Sequence, residues 1–321
     1  MSEELPLRPP HSFRAYGLSF SSDIRFPHLP DAILTGEPDV RIRLGEVFGP
    51  SYVPPPSIVV ESSPERLLIR GARSATILVT GGNAITVEPL PGGDQLVVRQ
   101  LLLGWVLGAI FHQRGLLPLH ASALCDGREC YVFCAGSGTG KSTLATAFLN
   151  RGFSYLDDNV ALVAFRQGTP VVVPGTPEFR LWDDSLPGLT FAHQVFGPVG
   201  AGSSKWSVSA RESFRDEEAP VREVFVLRRT ADRQVSFGAL AGAEKFRALM
   251  EQVFSLRVAG NPAGQERLFR AVRELASKVA VTEVRLPAAM PSPGALCGII
   301  LAREGEHNRL SHTAGHGPGG E

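Results

Sequence analysis

The segment ECYVFCAGSGTGKSTLATAFLNRG, residues 129–152, constrains this chain more than any other part of it. A short apolar run, Tyr131 to Cys134, reads as a buried strand, and Thr143 to Asn150 reads as an amphipathic helix stopped by Arg151-Gly152. Between them Ala135 to Ser142, AGSGTGKS, matches the phosphate-binding loop pattern with alanine at the position of the usual first glycine. Strand, glycine loop and helix in that order put the amides of Gly138, Thr139, Gly140 and Lys141 around a phosphate at a helix N-terminus. Glycine is needed because the loop uses conformations closed to residues with a Cβ and lets phosphate oxygens approach the main chain. The candidate nucleotide-binding stretch is therefore Gly136, Ser137, Gly138, Thr139, Gly140, Lys141, Ser142 and Thr143. Lys141 is expected to bridge the β- and γ-phosphates, and Ser142 to ligate Mg²⁺. GSGTG is not a GxGxxG fingerprint, so a dinucleotide fold is disfavoured.

The rest of the composition narrows the partners. With 32 Lys plus Arg against 32 Asp plus Glu in 321 residues, the chain offers no global attraction to nucleic acid or to an anionic membrane, and neither is an expected partner. Any anion site must be local. Only four of the basic residues are lysines, at Lys141, Lys205, Lys245 and Lys278, and one of them sits in the glycine loop. The start, MSEELPLRPPHSFR, lacks the basic and apolar regions of an export signal. Leu101 to Phe111 is apolar but shorter than the roughly 20 residues that span a bilayer, so it is expected to be a buried helix and the protein cytoplasmic. Cys125, Cys130, Cys134 and Cys297 form no CxxC pair and read as small core residues.

Four segments are expected. Residues 1–11 read as a flexible N-terminus, and 12–100 as a β-rich domain. Residues 101–303 read as the phosphate-loop domain, and 304–321, with almost no apolar content, as a disordered tail carrying His307, His312 and His316. In the β-rich part, SFRAYGLSF, DVRIRLGEV, SIVVESS, ERLLIRG, SATILVTGGNAITVEPL and DQLVVRQ read as antiparallel strands. Gly81-Gly82-Asn83 and Pro91 to Asp94 have the composition of hairpin turns, and PSYVPPP is a loop. Further on, VREVFVLRR reads as a strand buried on both faces. Two amphipathic helices follow, with Phe246, Leu249, Met250, Val253 and Phe254 on one core stripe. Leu268, Phe269, Val272, Leu275, Ala276 and Val279 form the other.

Beyond the loop, a strand at Ser154 to Leu156 ends in Asp157-Asp158. Adjacent carboxylates on extended backbone point to opposite faces, so one can face Mg²⁺ while the other reaches an acceptor hydroxyl. Which aspartate takes which role is open at this point, and both are candidate catalytic and metal-binding residues. Arg180 is a candidate phosphate clamp, with Trp182 beside it offering a stacking role instead. Lys205, with Trp206, lies in a glycine- and serine-rich loop, Gly197 to Ser209, that could cover a substrate.

The run LHASALCDGRECYVFCAGSGTGKSTLATAFLNRGFSYLDDNVALV resembles the catalytic core of the HPr kinase/phosphorylase family. His120 ahead of the strand, Arg151-Gly152 after the helix and the Asp157-Asp158 pair occupy the family's motif positions, and Glu178-Phe179-Arg180 matches its Glu-x-Arg. The resemblance implies an α/β (α+β) fold with a phosphoenolpyruvate-carboxykinase-like P-loop kinase core behind the β-rich N-terminal domain. It also implies ATP and Mg²⁺ as cofactors, a catalytic role for His120 and a metal-facing role for Glu178. His120-Ala121-Ser122 replaces the family's His-Gly, and the C-terminal signature of the HPr-phosphorylating enzymes is absent. The stretches YGLSF, LPLHASAL and RLW are more similar to HPr-kinase-related proteins of bacterial peptide-modification (lasso-peptide-like) gene clusters, which points to a peptide or small-protein acceptor rather than HPr. A kinase of a small-molecule hydroxyl and a nucleotide-binding regulatory module are the competing classes, and a homo-oligomer is compatible with all three.

Overall fold

The computed structural model describes residues 10–49, 52, 53, 55, 57–63, 65–70, 74–136, 138–199, 203–256 and 262–313, with backbone alone for 262, 263 and 305–313. The first sheet contains β1 (His11–Ala15), β2 (Leu18–Ser22), β3 (Val40–Leu44), β4 (Val59–Ser63), β5 (Arg66–Arg70), β6 (Ala75–Thr80) and β7 (Ala84–Pro89) in the order β1-β2-β3-β7-β6-β5-β4. It is not purely antiparallel, because β3 runs parallel to both β2 and β7. Gly81-Gly82-Asn83 does turn a hairpin between β6 and β7. Most of PSYVPPP lies outside the described residues.

Pro91 to Asp94 turns no hairpin, and DQLVVRQ is not a strand. Asp94 caps a helix through a side-chain bond from the Leu96 amide at 2.8 Å, and the chain continues as α1 (Gln95–Leu101), a π-helical turn over Leu102–Val106 and α2 (Leu107–Gln113). The N-cap outweighs the strand propensity of Val97 and Val98. At 19 residues, Gln95–Gln113 is long and apolar enough to cross a membrane by length and composition, but 61% of its apolar window is buried inside the fold. Val98, Leu102, Val106 and Phe111 pack beneath the first sheet. Val160, Leu162 and Val173, from beyond the phosphate loop, belong to the same core, so the β-rich part and the remainder share packing.

The second sheet is built from β8 (Leu117–Leu119), β9 (Ala121–Cys125), β10 (Cys130–Ala135), β11 (Ser154–Asp157), β12 (Ala161–Arg166) and β13 (Thr169–Val173), later joined by three more strands. The helix α3 (Lys141–Leu149) leaves β10 through the glycine loop and stops at Gly152, which donates to Leu149 O at 2.9 Å in the left-handed conformation. A small sheet follows in the order β14-β16-β15, from β14 (Phe179–Trp182), β15 (Gln194–Pro198) and β16 (Lys205–Ser209). The described residues of the stretch 197–209 are therefore mostly strand, in β15 and β16, rather than open loop. Val208 alternates into the core and pairs with both Phe179 and Val195, which is strand chemistry hidden among serines.

The long strand β17 (Ala219–Arg229) lies parallel to β10 and to β19 (Ala280–Leu286), with β18 (Ser236–Ala239) beyond. Its residues Val224 to Leu227 are buried, as the apolar run requires. The helices α4 (Gly242–Glu251) and α5 (Pro262–Lys278) cover one face, although Phe269 is half exposed and packs at a tilt against Phe246 instead of entering the core. Helix α6 (Pro293–Thr313) continues past residue 304. The disordered tail therefore does not begin there: Glu304 is buried and paired with Arg222 and Arg303. His307 and His312 fall on this helix, and His316 lies outside the described residues. All four cysteines are buried and free.

Candidate active site

Gly138 and Gly140 have φ of +78° and +95°, and Gly140 caps α3. These left-handed conformations are the reason glycine recurs in the loop. Ser137 lies outside the described residues. The loop encloses a cavity of about 390 Å³, whose floor is Gly136, Gly138, Gly140, Lys141, Ser142 and Thr143. His120, Asp158, Arg180, Trp182 and Lys205 line its walls, together with Gln100, Asn159, Val199 and Ser203.

Lys141 is buried, with Nζ 3.1 Å from His120 Nε2. Burial, and then the positive charges of Lys141 and Lys205, hold the His120 pKa down at about 4. At neutral pH the ring is therefore neutral, and Nε2 can accept a hydrogen bond from the ammonium of Lys141. Burial also lowers the Lys141 pKa, against the opposing charge of Asp158.

The two aspartates part company at the end of β11. Asp157 Oδ1 accepts the Asn159 and Val160 amides, each at 2.6 Å, a local turn of the kind aspartate favours. Its Oδ2 accepts the Tyr16 hydroxyl at 2.8 Å and the Thr176 amide at 3.2 Å. Both oxygens are thus occupied, and Asp157 forms no part of the cavity wall. The expectation that either aspartate could serve as base or metal ligand is corrected here, because Asp157, the last residue of β11, engages both oxygens with the turn amides that follow it and with Tyr16 and Thr176, outside the cavity. Burial outweighs the four donors and pushes its pKa up to about 6.

Asp158 lies on the loop side. Its Oδ1 accepts the Ser122 hydroxyl at 2.7 Å, and Ser142 and the Arg180 backbone also bond the carboxyl. Burial raises its pKa, while Ser122, Ser142 and Lys141 oppose the rise.

Glu178 does not join this cavity. Its Oε1 accepts the Ser207 hydroxyl at 2.6 Å, and Oε2 lies 3.4 Å from His28 Nε2 and 3.9 Å from Arg180. Burial pushes the Glu178 pKa up, but Arg180, His28 and Ser207 together more than reverse it, so the group is a carboxylate. The expected metal set of Ser142, Asp157, Asp158 and Glu178 is therefore not assembled: only Ser142 and Asp158 meet. Among the described residues no three His, Cys, Asp or Glu side chains converge as a metal site.

Arg180 and Lys205 do reach the cavity. The aromatic partner is the reverse of that expected: Lys205 Nζ lies 5.0 Å over the Trp182 ring, its cross-strand neighbour. Sequence reasoning missed Ser122, Tyr16 and Gln100 as contributors. Ser122 lies on β9, just past the bend at His120. Tyr16 had no local signal, being 141 positions from Asp157.

No protein-family model matches the sequence, and no curated protein does. Among solved structures, the HPr(Ser) kinase/phosphatase from Coxiella burnetii aligns with 61% of this chain and 96% of its own, at 10% identity and a TM-score of 0.35. The likeness is one of distant outline.

Proposed function

We propose that the chain is an ATP- and Mg²⁺-dependent kinase of HPr-kinase-like type, transferring the γ-phosphoryl group to a Ser or Thr hydroxyl of a peptide or small protein. One observation carries this reading: a buried carboxylate, Asp158, shares a single cavity with Lys141 and Ser142 of the phosphate loop. Phosphoryl transfer asks a protein chiefly to position phosphates, neutralise charge and accept one proton, and these side chains cover those tasks. Lys141, steered by His120, binds the β- and γ-phosphates, and Arg180 and Lys205 add positive charge to the same cavity. Mg²⁺ commonly takes one or two carboxylates and completes its shell with phosphates and waters, so Ser142 and Asp158 suit it without a larger acidic cluster. The ion would neutralise charge on the phosphates. Asp158 is also the carboxylate of this cavity that takes the proton from the acceptor hydroxyl. Asp157 is assigned no chemistry.

Incubation with γ-labelled ATP, Mg²⁺ and Ser/Thr peptides tests the proposal. Label on peptide, lost in Asp158→Asn, is the expected result. Hydrolysis of ATP with no labelled acceptor would favour the regulatory module instead, and label on a small polyol would favour the small-molecule kinase.

A further inference from the structure

A second cavity, of about 220 Å³, opens beside the phosphate loop between α1 and the end of β15. We propose that it is the acceptor pocket, taking one apolar side chain of an extended peptide whose adjacent hydroxyl is presented to Asp158. The proposal rests on the kinase reading and adds to it the class of substrate.

Position is the first argument. Gln100, Arg180 and Val199 line both cavities, and the Arg180 amide bonds the Asp158 carboxyl, so the pocket begins beside the proposed base. The nucleoside has another exit. Thr143, next to Ser142, opens onto a separate cavity of about 680 Å³ along α3, lined by Thr146 and Asn150. Size is the second argument. Whole small-molecule ligands occupy roughly 300–1,000 Å³, so the smaller pocket suits a side chain rather than a nucleoside.

Its chemistry is the third argument. Leu96, Leu103, Phe196 and Val199 make apolar walls. One of the buried polar atoms without a hydrogen-bond partner, Gln100 Nε2, belongs to a residue of this same pocket, whereas His28 Nε2 beside it faces Glu178 Oε2 at 3.4 Å. Buried polar groups left unpaired call for a missing partner. A peptide carbonyl would supply an acceptor for the Gln100 amide. The fourth argument is the backbone beside it. In the order β14-β16-β15, β15 is the edge, and its residues Phe196 to Pro198 wall the pocket. An extended peptide can add to such an edge, gaining main-chain bonds while alternate side chains enter pockets. Pro198 has no N–H and ends the pairing edge, which fixes where the peptide must leave it.

The test uses the full chain with γ-labelled ATP, Mg²⁺ and Ser-containing peptide pools, each carrying one fixed residue near the serine. ATP affinity is measured alongside. Wild type should prefer pools with an apolar residue beside the serine. Leu96→Trp, at a rim position 38% exposed, fills the pocket and should cut kcat/KM for those pools by about tenfold or more while leaving ATP affinity unchanged. Phe196→Ala, which removes an apolar wall that the phosphate cavity does not share, should raise the peptide KM with little change in kcat, and provides an independent reading of the same pocket. An equal loss of ATP affinity in both variants would assign the cavity to the nucleotide and overturn the proposal. So would labelling of all pools alike, which leaves the kinase reading standing. Wild type that binds ATP and labels no pool would overturn that reading itself, and the pocket assignment with it.

Discussion

Asp157 and Asp158 are joined by one peptide bond, yet they face different parts of the molecule. On one side of the β11 end is a sealed seam, where the tip of the β1–β2 hairpin meets the second sheet. Tyr16 sits there in a left-handed conformation (φ 54°), its amide bonded to Pro174 O at 2.7 Å and its hydroxyl to Asp157. Gly175 packs so close that a Cβ on it would collide with Asp157 Oδ2 and the Tyr16 ring. On the other side is the open phosphate cavity, with Asp158 on its wall. A paired motif in sequence thus divides into a structural joint and a chemical group, because the turn that ends β11 gives the two carboxylates different partners.

The sharpest way to break this division is to compare the two amide variants. Asp158→Asn should lower kcat for phosphoryl transfer, per folded molecule, by about 10²- to 10⁴-fold, the range of a lost general base. Asp157→Asn should keep its residual turnover per folded molecule but lose about 1–3 kcal/mol of stability, since its new NH₂ must face donors already aimed at an oxygen. Denaturant midpoints and initial rates on both variants decide the matter. An Asp157→Asn enzyme that is stable and inactive would return both aspartates to the chemistry. Tyr16→Phe removes only one of the four donors to Asp157 and should fall below Asp157→Asn in cost, again without a selective loss of kcat.

How far the sequence revealed this division depends on the range of each signal. The phosphate loop, its strand and its helix were legible because every cue for them is local: apolar run, glycines at left-handed positions, lysine, and a glycine stop. Strand geometry led to the expectation that Asp157 and Asp158 part, but not to which of them meets the loop. That depends on Tyr16, Ser122 and Thr176 arriving from elsewhere. The DQLVVRQ segment was misread because a single aspartate cap decides between helix and strand where valines favour the latter. The β15–β16 pair was hidden by its glycines and serines, since only Val208 and its cross-strand partners mark the buried face. Glu178 was grouped with the metal residues through resemblance, whereas the fold engages it with Ser207, His28 and Arg180.

The seam should also show itself through pH. Asp157 has a folded pKa of about 6 against an ordinary value of 3.8, so the folded state holds its proton more tightly than the unfolded chain does. Its contribution to stability is fully present below the ordinary value and is lost as pH rises through the folded value. Between pH 3.8 and about 6 this group should pull Tm down by a few degrees as pH increases, and above that window its effect should level off. The decline attributable to it is the difference between wild type and Asp157→Asn, which lacks the titrating group. Equal slopes in the two proteins would mean that the four donors, not burial, set the charge of Asp157.

The smallest effect belongs to the cavity side and separates positioning from chemistry. Ser122 donates to Asp158 Oδ1 and opposes the rise in its pKa. Ser122→Ala removes a bond that favours the charged carboxylate, so the Asp158 pKa moves further up. A base must be ionised to accept a proton, which places the acid limb of the pH–rate profile at this pKa and shifts it to higher pH in the variant. The loss in kcat should be less than about tenfold at neutral pH and should disappear in alkaline buffer, because a carboxylate that is fully ionised no longer needs Ser122 to hold its charge. A loss that persists unchanged at high pH would mean that Ser122 orients Asp158 rather than tuning it, and a profile identical to wild type would remove Ser122 from the site altogether.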